Sequence, residues 1–399
     1  MSLLQIDIQQ SKVIPYVAII LLLTQMTVSF FDMEMFLASY LALAGMVVAF
    51  LISIFLLIRK KTLHLFDIYI MLFVITLEGI SILNGTGWKN CLYIFFSIFT
   101  YLFLFNYYQE RYKTLILGIS LVLSVAIYCQ LYQCIIHPEM WIMEETKQNW
   151  GFILGGNYNQ MGSRFVIALT AGILTTQYSK WFWLNLIPLF ICCFAILFMV
   201  RSMTSLSCLF LFLIFFLIRN KRLLSFGATC MYLGIIFFQA FVCFSGKGFE
   251  NNDLARWFII DILGKDMTFT GRTDMWDSAL RVIADSPIWG YGLVDADWFT
   301  ANMSTRAIGA HNFILNTMVY GGVILFILYI TIVIHTLQKL IRIHDILSRK
   351  MIAFFGVLSI MMLFEAYEIP LVLLLLTIMY YYPGPEPVTN LVSDAREHQ

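Results

Sequence analysis

The chain has 399 residues, of which 60% are hydrophobic and 12% are charged, and its mean hydropathy is +0.83. Soluble domains carry about 25% charged residues, so this composition excludes a soluble globular protein and predicts a polytopic membrane protein. The net charge is +1 and no basic stripe is interleaved with aromatic residues, which excludes a nucleic-acid-binding protein.

About twelve apolar runs follow one another along the chain, and most are long enough for the roughly 20 residues of a spanning helix. They lie at residues 13–31, 35–58, 65–83, 91–108, 114–136, 156–178, 182–200, 203–218, 223–245, 312–337, 351–367 and 369–382. The last run is short and contains Pro370 at its start, so eleven spans plus a re-entrant or interfacial segment is the alternative. We therefore predict an all-α fold with one transmembrane domain over residues 1–382.

The Lys and Arg residues fall in alternate loops, and this sets the orientation because cytoplasmic loops retain them. With the N-terminus inside, the inner loops contain Arg59, Lys60, Lys61, Arg111, Lys113, Lys180, Arg219, Lys221, Arg222, Lys339, Arg342, Arg349 and Lys350. The short outer loops contain only Lys89 and Lys147. We therefore expect both termini in the cytoplasm.

Two outer loops, residues 137–155 and 246–310, are longer than a simple connection requires. Loops of this length are usually functional. The polar, proline-punctuated residues 383–399 are expected to form a disordered cytoplasmic tail.

The larger outer loop contains the patterns of two short helices. Residues 252–263 place their apolar side chains on one face, as an interfacial helix would. Thr273 can cap a second helix, in which Trp276, Leu280 and Ile283 share one stripe.

The charged residues of this second helix predict an anion site. Asp277 and Arg281 are spaced for an i,i+4 ion pair. The helix begins beside Arg272, so its amino end adds partial positive charge next to that guanidinium. We therefore expect an anion to bind there, with Arg281 as a further substrate-binding candidate.

Three arginines, Arg164, Arg201 and Arg272, lie at predicted outer ends of spans or in the larger outer loop. A guanidinium presents a planar fork of donors that matches phosphate. The ordinary alternatives are a solvated ion pair for Arg272 and snorkelling to the membrane interface for Arg201. If the three converge in space, they form a cradle for a diphosphate.

Neutral polar residues accompany the arginines. His311 begins the span after the larger loop, as either a structural hydrogen-bonding group or a proton acceptor near neutral pH. Asn157, Asn159 and Asn312 either orient sugar hydroxyls or cap helices.

Three acids lie within or beside apolar runs, towards the predicted outer side. Glu365 and Glu368 come just before Pro370, and Glu78 lies in the outer half of the third run. Ionisable residues inside a membrane mark functional sites. These acids are therefore either catalytic groups or counter-ions of the arginines.

No glycine-rich phosphate loop and no HExxH motif is present in the sequence. A donor embedded in the membrane therefore fits better than a soluble nucleotide sugar. We predict no metal and no cofactor.

Two stretches carry a family resemblance. The sequence GRTDMWDSALRVIADSPIWGYGL, followed by AHNFILNTMVYGG, resembles the signature of the O-antigen polymerase and O-antigen ligase superfamily, with GR, a Trp, a Pro-x-x-G-x-G turn and an HN pair in that order. WGFILGGNYNQMGSRFVIAL resembles the family's Asn-rich approach to a middle helix. Arg201 matches the arginine at a helix start, with Val200 in place of the usual serine. The resemblance covers roughly residues 150–325.

The resemblance implies a GT-C-like fold in the bacterial cytoplasmic membrane and an extracytoplasmic site that uses an undecaprenyl-pyrophosphate-linked glycan. It makes Arg272 and His311 the expected essential residues, with Arg164 and Arg201 on the lipid diphosphate. Arginines can hold the charge of the leaving diphosphate in place of a metal ion. Attack by the acceptor from the opposite side predicts inversion, with His311 as the base and Glu365 or Glu368 in reserve.

The leading functional prediction is a polymerase that joins lipid-linked oligosaccharide repeat units into O-antigen or capsular polysaccharide. The alternative is an O-antigen ligase that transfers the glycan to lipid A core. A lipid-linked glycan flippase is a lesser alternative, since transporters place charges midway through spans and show related halves. The expected partners are the lipid-linked oligosaccharide, membrane lipids, a chain-length regulator and a flippase.

Overall fold

The computed structural model describes residues 36–60, 62–138, 154, 158–245, 271–303 and 309–385. Within these ranges the regular secondary structure is helical, in thirteen α-helices. They are α1 (Phe36–Lys60), α2 (Leu65–Leu83), α3 (Trp88–Tyr107), α4 (Tyr112–Ile136), α5 (Met161–Thr175), α6 (Trp183–Met199), α7 (Met203–Leu217), α8 (Lys221–Phe241), α9 (Arg272–Asp285), α10 (Ala296–Asn302), α11 (Phe313–Ile343), α12 (Ile346–Met362) and α13 (Ile369–Tyr380).

Eleven of the predicted spans coincide with long or apolar helices, and α2 has the predicted bounds. The run at residues 13–31, the interfacial helix at 252–263 and almost all of the tail lie outside the described residues. Five helical segments are long and apolar enough to cross a membrane, and shorter apolar helices accompany them. The chain is therefore a multi-pass membrane protein, as predicted.

Large apolar side chains also cover the outer faces of the bundle. On α6, Leu184, Ile191 and Phe198 are exposed, and on α8 so are Leu233 and Phe237. A soluble protein rarely exposes contiguous apolar surface of this kind. Lipid chains provide the matching environment.

Two short helices, α5 and α13, form the centre of the bundle. All fifteen residues of α5 and all twelve of α13 are buried. A helix that is apolar around its whole circumference is stable only when other helices enclose it, and α13 packs against α3, α5, α11 and α12. At about 1.5 Å per residue, α13 is too short to cross a hydrocarbon core of about 30 Å alone.

One predicted span ends earlier than expected. The run at 351–367 predicts a helix through Glu365, whereas α12 ends at Met362 and residues 363–368 are not helical. Pro370 explains the break, because proline lacks an N–H and is tolerated only in the first turn of the helix that follows. Hydrophobicity alone could not reveal this interruption.

The helices alternate in direction, so each connection belongs to one of two ends of the bundle. One end, here called the site end, carries the described residues 84–87, 137–138, 158–160, 200–202, 242–245, 271–303, 309–312 and 363–368. The opposite end carries the Lys- and Arg-rich connections. Every candidate residue of the predicted diphosphate site therefore lies in or beside a connection at the site end.

A turn at residues 287–292 hydrogen-bonds to the backbone of α11 where that helix is interrupted. The backbone N–H groups of Tyr291 and Gly292 donate to the carbonyls of Val319 and Tyr320 at 2.9 and 2.8 Å. Gly322 leaves helical geometry with φ of 59°, and Gly290 has φ of 64°. A Cβ on Gly290 would lie 2.5 Å from the carbonyl oxygen of Val319. The glycines of the predicted Pro-x-x-G-x-G turn thus allow two backbones to touch.

Replacing Gly290 with Ala should therefore destabilise the protein by roughly 2 kcal/mol or more, because the new methyl group clashes with backbone and the positive φ is strained. Thermal unfolding in detergent micelles measures the change. Gly234→Ala in α8 is the matched control, since no atom lies within 4 Å of its added Cβ. Equal melting temperatures for the two variants would contradict this account of the turn.

Candidate active site

The non-helical residues 363–368, here called the α12–α13 connection, are the point on which the predicted site residues converge. This segment contributes two acids, Glu365 and Glu368, and carbonyl groups that point outwards to other elements. Arg164, Arg272, His311 and Asn312 all contact it, from three separate parts of the chain. The bundle thus brings together residues that are far apart in sequence.

Arg164 and Glu368 form a close ion pair, with Nη2 of the arginine 2.8 Å from Oε1 of the acid. The Arg164 side chain is 3% exposed and that of Glu368 is 32% exposed. Nη1 of Arg164 also donates to the carbonyl of Gln160 at 3.4 Å, and Tyr93 lines the cavity beside Glu368. Since Arg164 and Glu368 stand at the first turns of α5 and α13, the pair joins the two central helices.

Arg272 is the first residue of α9 and reaches the same connection. Its Nε donates to the carbonyl of Phe364 at 3.0 Å, and the guanidinium carbon lies 6.0 Å from the centre of the Phe364 ring. The expected cap at Thr273 is wrong, because Gly271 with φ of 81° precedes the helix and Thr273 is buried within it. Arg272 therefore lies at the amino end of α9, where partial positive charge is expected.

The rest of α9 follows the sequence prediction. Trp276 and Ile283 are buried and Leu280 packs beside them, which confirms the apolar stripe. Asp277 and Arg281 form the predicted i,i+4 pair at 3.5 Å. The Arg281 side chain is 71% exposed and also donates to Ser278 on its own helix, so the structure does not bring it to the α12–α13 connection.

His311 faces Glu365, with Nδ1 of the imidazole 3.3 Å from Oε1 of the acid. Their side chains are 18% and 8% exposed. The angle at this contact is not that of a hydrogen bond, and among the described residues neither His311 Nδ1 nor Glu365 Oε2 has a hydrogen-bond partner. A buried polar atom without a partner costs about 1–3 kcal/mol, so this pair is poised to bind a further polar group.

Two candidate residues also have a positive backbone φ. Among the described non-glycine residues, positive φ occurs at Arg201 (55°), His311 (44°) and His344 (59°). His344 ends α11, where a left-handed residue is common. Arg201 ends α6 in the same way, because its N–H and that of Ser202 donate to the Phe198 and Leu197 carbonyls. At His311 the strain, of order 1–3 kcal/mol, fits a functional position held by its surroundings.

Two cavities flank the α12–α13 connection. The smaller, about 10 Å³, is lined by Asn159, Ser205, Arg272, Glu365 and Tyr367 among others, and this volume suits a single water molecule. The larger, about 380 Å³, is lined by polar and aromatic groups that include Tyr93, Gln160, Asn316, Tyr320, Tyr367 and Glu368. Such a volume lies within the usual range for a small-molecule site.

The remaining candidates have different positions. Asn159 accepts hydrogen bonds from Ser202, Ser205 and Tyr367 and thereby ties α7 to the α12–α13 connection. Asn157 lies outside the described residues. Arg201 is exposed and, within the described ranges, forms no ion pair.

Asn312 serves as a helix cap. Its Oδ1 accepts from the backbone N–H of Leu315 at 2.9 Å, and its amide nitrogen donates to Gln239 and to the Leu363 carbonyl. The side chain is fully buried. Of the two roles that the sequence left open, the structure shows the capping role.

Several residues that line the larger cavity are not predicted as site residues from the sequence. Tyr93 and Tyr320 lie within apolar helices, where an aromatic residue predicts packing. Gln160 and Tyr367 had a usable signal, since each directly adjoins residues already singled out. Asn316 follows Asn312 by one helical turn, a spacing that places both on one helix face.

The chain matches a known protein family over part of its length. Residues 186–330 match a family model described as O-antigen ligase. This segment contains Arg201, Arg272 and His311, whereas Arg164 and the two acids of the α12–α13 connection lie outside it. No curated protein matches the chain.

The buried ion pair generates a stability prediction. Arg164→Ala should lower the free energy of unfolding by about 3 kcal/mol, because removal of one partner leaves Glu368 without its counter-charge. Arg281→Ala, the control, removes an exposed pair and should cost less than about 1 kcal/mol. Chemical or thermal unfolding in micelles measures both; equal losses would show that the Arg164 pair does not support the fold.

Proposed function

We infer that the chain is a membrane glycosyltransferase that acts on lipid-linked glycans, because residues 186–330 match a family model described as O-antigen ligase. We propose that this enzyme joins undecaprenyl-pyrophosphate-linked oligosaccharide repeat units into O-antigen or capsular polysaccharide. The observation that carries the proposal is the convergence of Arg272, His311 and Arg164 with two acids on one connection at the site end.

The proposal includes the location and fold of the site. The opposite end of the bundle holds the Lys- and Arg-rich connections, which the positive-inside rule assigns to the cytoplasm. The site end would then face outwards from a bacterial cytoplasmic membrane. The bundle would belong to the GT-C-like architecture, with about twelve spans.

The donor side of the reaction requires positive charge. Arg272 and the amino end of α9 supply it together, and groups fixed in advance stabilise developing charge most effectively. Arg201 is exposed at the same end of the bundle, two residues before α7 begins. We therefore assign Arg272 and Arg201 to the departing lipid pyrophosphate.

The acceptor hydroxyl attacks the anomeric carbon from the face opposite the leaving pyrophosphate, so the configuration inverts. A nearby base receives the hydroxyl proton. His311 is held beside Glu365 at 3.3 Å, and this acid can orient the imidazole and stabilise its charged form. Glu368 is the other candidate for this role, because it lines the larger cavity.

The ligase reaction is the second candidate, since the matching family model carries that description. Both reactions use the same donor and differ only in the acceptor. A flippase is less consistent with the structure, because the described candidate charges gather at one end of the bundle rather than midway through spans. A chain-length regulator and a separate flippase are the proposed partners of a polymerase.

Incubation of the purified protein with the lipid-linked repeat unit alone separates the two reactions. A ladder of longer glycans supports a polymerase. Product formation only after addition of lipid A core supports the ligase instead. Absence of glycan transfer in both reactions would overturn the proposal.

Arg272→Ala and His311→Ala should each lower the rate of glycan transfer by about 100-fold or more, the effect typical of losing a charge-stabilising or proton-transferring group. Release of undecaprenyl pyrophosphate and formation of product measure the rate. Arg342→Ala is the control, because Arg342 is exposed at the opposite end of α11. Full activity in both site variants would refute these assignments.

A further inference from the structure

The larger cavity has the composition of a sugar-binding site. Three tyrosines, Tyr93, Tyr320 and Tyr367, offer aromatic surface, while Gln160 and Asn316 contribute amide groups. Sugars present apolar C–H faces and a rim of hydroxyls, so aromatic rings and planar polar groups suit them together. At about 380 Å³ the cavity can admit a monosaccharide unit.

We propose that this cavity is the acceptor subsite, where the terminal sugar of the acceptor glycan binds, and that Glu368 takes the proton from its attacking hydroxyl. The inference rests on the proposed glycosyl transfer and assigns one reactant to one side of the α12–α13 connection. The leaving pyrophosphate then belongs to Arg272 at the amino end of α9, outside the small cavity, which is too small to hold it.

The two acids of the connection differ in what they face. The Glu365 side chain is 8% exposed and lines the cavity of about 10 Å³, which is too small for a sugar. The Glu368 side chain is 32% exposed and lines the cavity of about 380 Å³. Glu368 can therefore touch an acceptor hydroxyl directly, whereas Glu365 contacts His311, which does not line the larger cavity. Of the two candidate bases, Glu368 is therefore the proton acceptor, and His311 has a positioning role.

Arg164 and Tyr93 hold Glu368 in place for this step. The arginine contacts Oε1 at 2.8 Å, and the tyrosine lines the same cavity as the carboxylate. Arg164 is buried in the centre of the bundle, so it fixes the acid without itself lying open to the cavity. Both are positioning residues for the carboxylate.

The step balances without a further reactant. The acceptor oxygen forms a bond to the anomeric carbon of the donor sugar as the bond from that carbon to the pyrophosphate oxygen breaks. The bonding pair leaves with undecaprenyl pyrophosphate, and the acceptor proton passes to the Glu368 carboxylate. The proton is returned to water or to the product pyrophosphate before the next transfer.

Blocking the cavity tests the subsite without touching the charged groups. Ile94 lines the cavity and is buried, so Ile94→Trp places an indole in the space for the sugar. We expect glycan transfer to fall at least 30-fold, while the Kd for undecaprenyl pyrophosphate, the donor-side probe, changes less than twofold. Leu233→Trp is the control, since Leu233 lines a separate apolar groove between α8, α11 and α12, and should transfer glycan at the wild-type rate.

Two further variants address Glu368. Glu368→Gln should lower kcat by at least 100-fold with undecaprenyl pyrophosphate binding retained. Tyr93→Phe keeps the ion pair intact and should lower kcat by about 5- to 20-fold, with an altered pH profile, because it removes a hydroxyl that lines the cavity beside the carboxylate. Tyr93→Phe also serves as the test if the other variants fail to fold.

The outcomes separate the inference from the proposed function. If the wild-type protein transfers glycan and Ile94→Trp transfers it equally fast, the subsite assignment is wrong. If Glu368→Gln or Tyr93→Phe retains the wild-type kcat and pH profile, the assigned proton acceptor is wrong. If the wild-type protein transfers no glycan from the lipid-linked repeat unit to any acceptor, the proposed function itself fails.

Discussion

The ion pair between Arg164 and Glu368 is the interaction on which the arrangement of the site depends. It joins the amino ends of the two fully buried helices, α5 and α13, at a distance of 2.8 Å. A buried charge is tolerated only when it is paired and hydrogen-bonded. The pair therefore fixes where α13 begins, and with it the position of the α12–α13 connection.

The α12–α13 connection contacts three of the candidate residues through three different groups. Its two acids have separate partners, Arg164 for Glu368 and His311 for Glu365, and its Phe364 carbonyl receives Arg272. The turn at 287–292 holds α11 against the rest of the bundle by backbone contacts, which sets the place from which His311 projects. Rigid elements thus supply the precision that charge stabilisation requires.

Sequence periodicity and hydrophobicity predicted the spans, including the bounds of α2, because lipid-facing and core-facing residues must both be apolar. They did not predict the early end of α12, which depends on Pro370, or the cap at Gly271, where the positive φ of 81° suits glycine. The pairing of Arg164 with Glu368 could not be predicted from sequence patterns, because the packing of the helices brings these two distant residues together. Tyr93 was missed because an aromatic residue in an apolar helix resembles ordinary core.

The separation of the pair along the chain has a consequence for biosynthesis. Glu368 follows Arg164 by 204 residues, which ribosomes take roughly 10–40 s to synthesise at about 5–20 residues per second. During that interval α5 must reside in or near the membrane with its guanidinium lacking its final counter-ion. The link between the two central helices therefore forms only after the segment that contains Glu368 has been synthesised, so α5 and α13 are joined late in the assembly of the bundle.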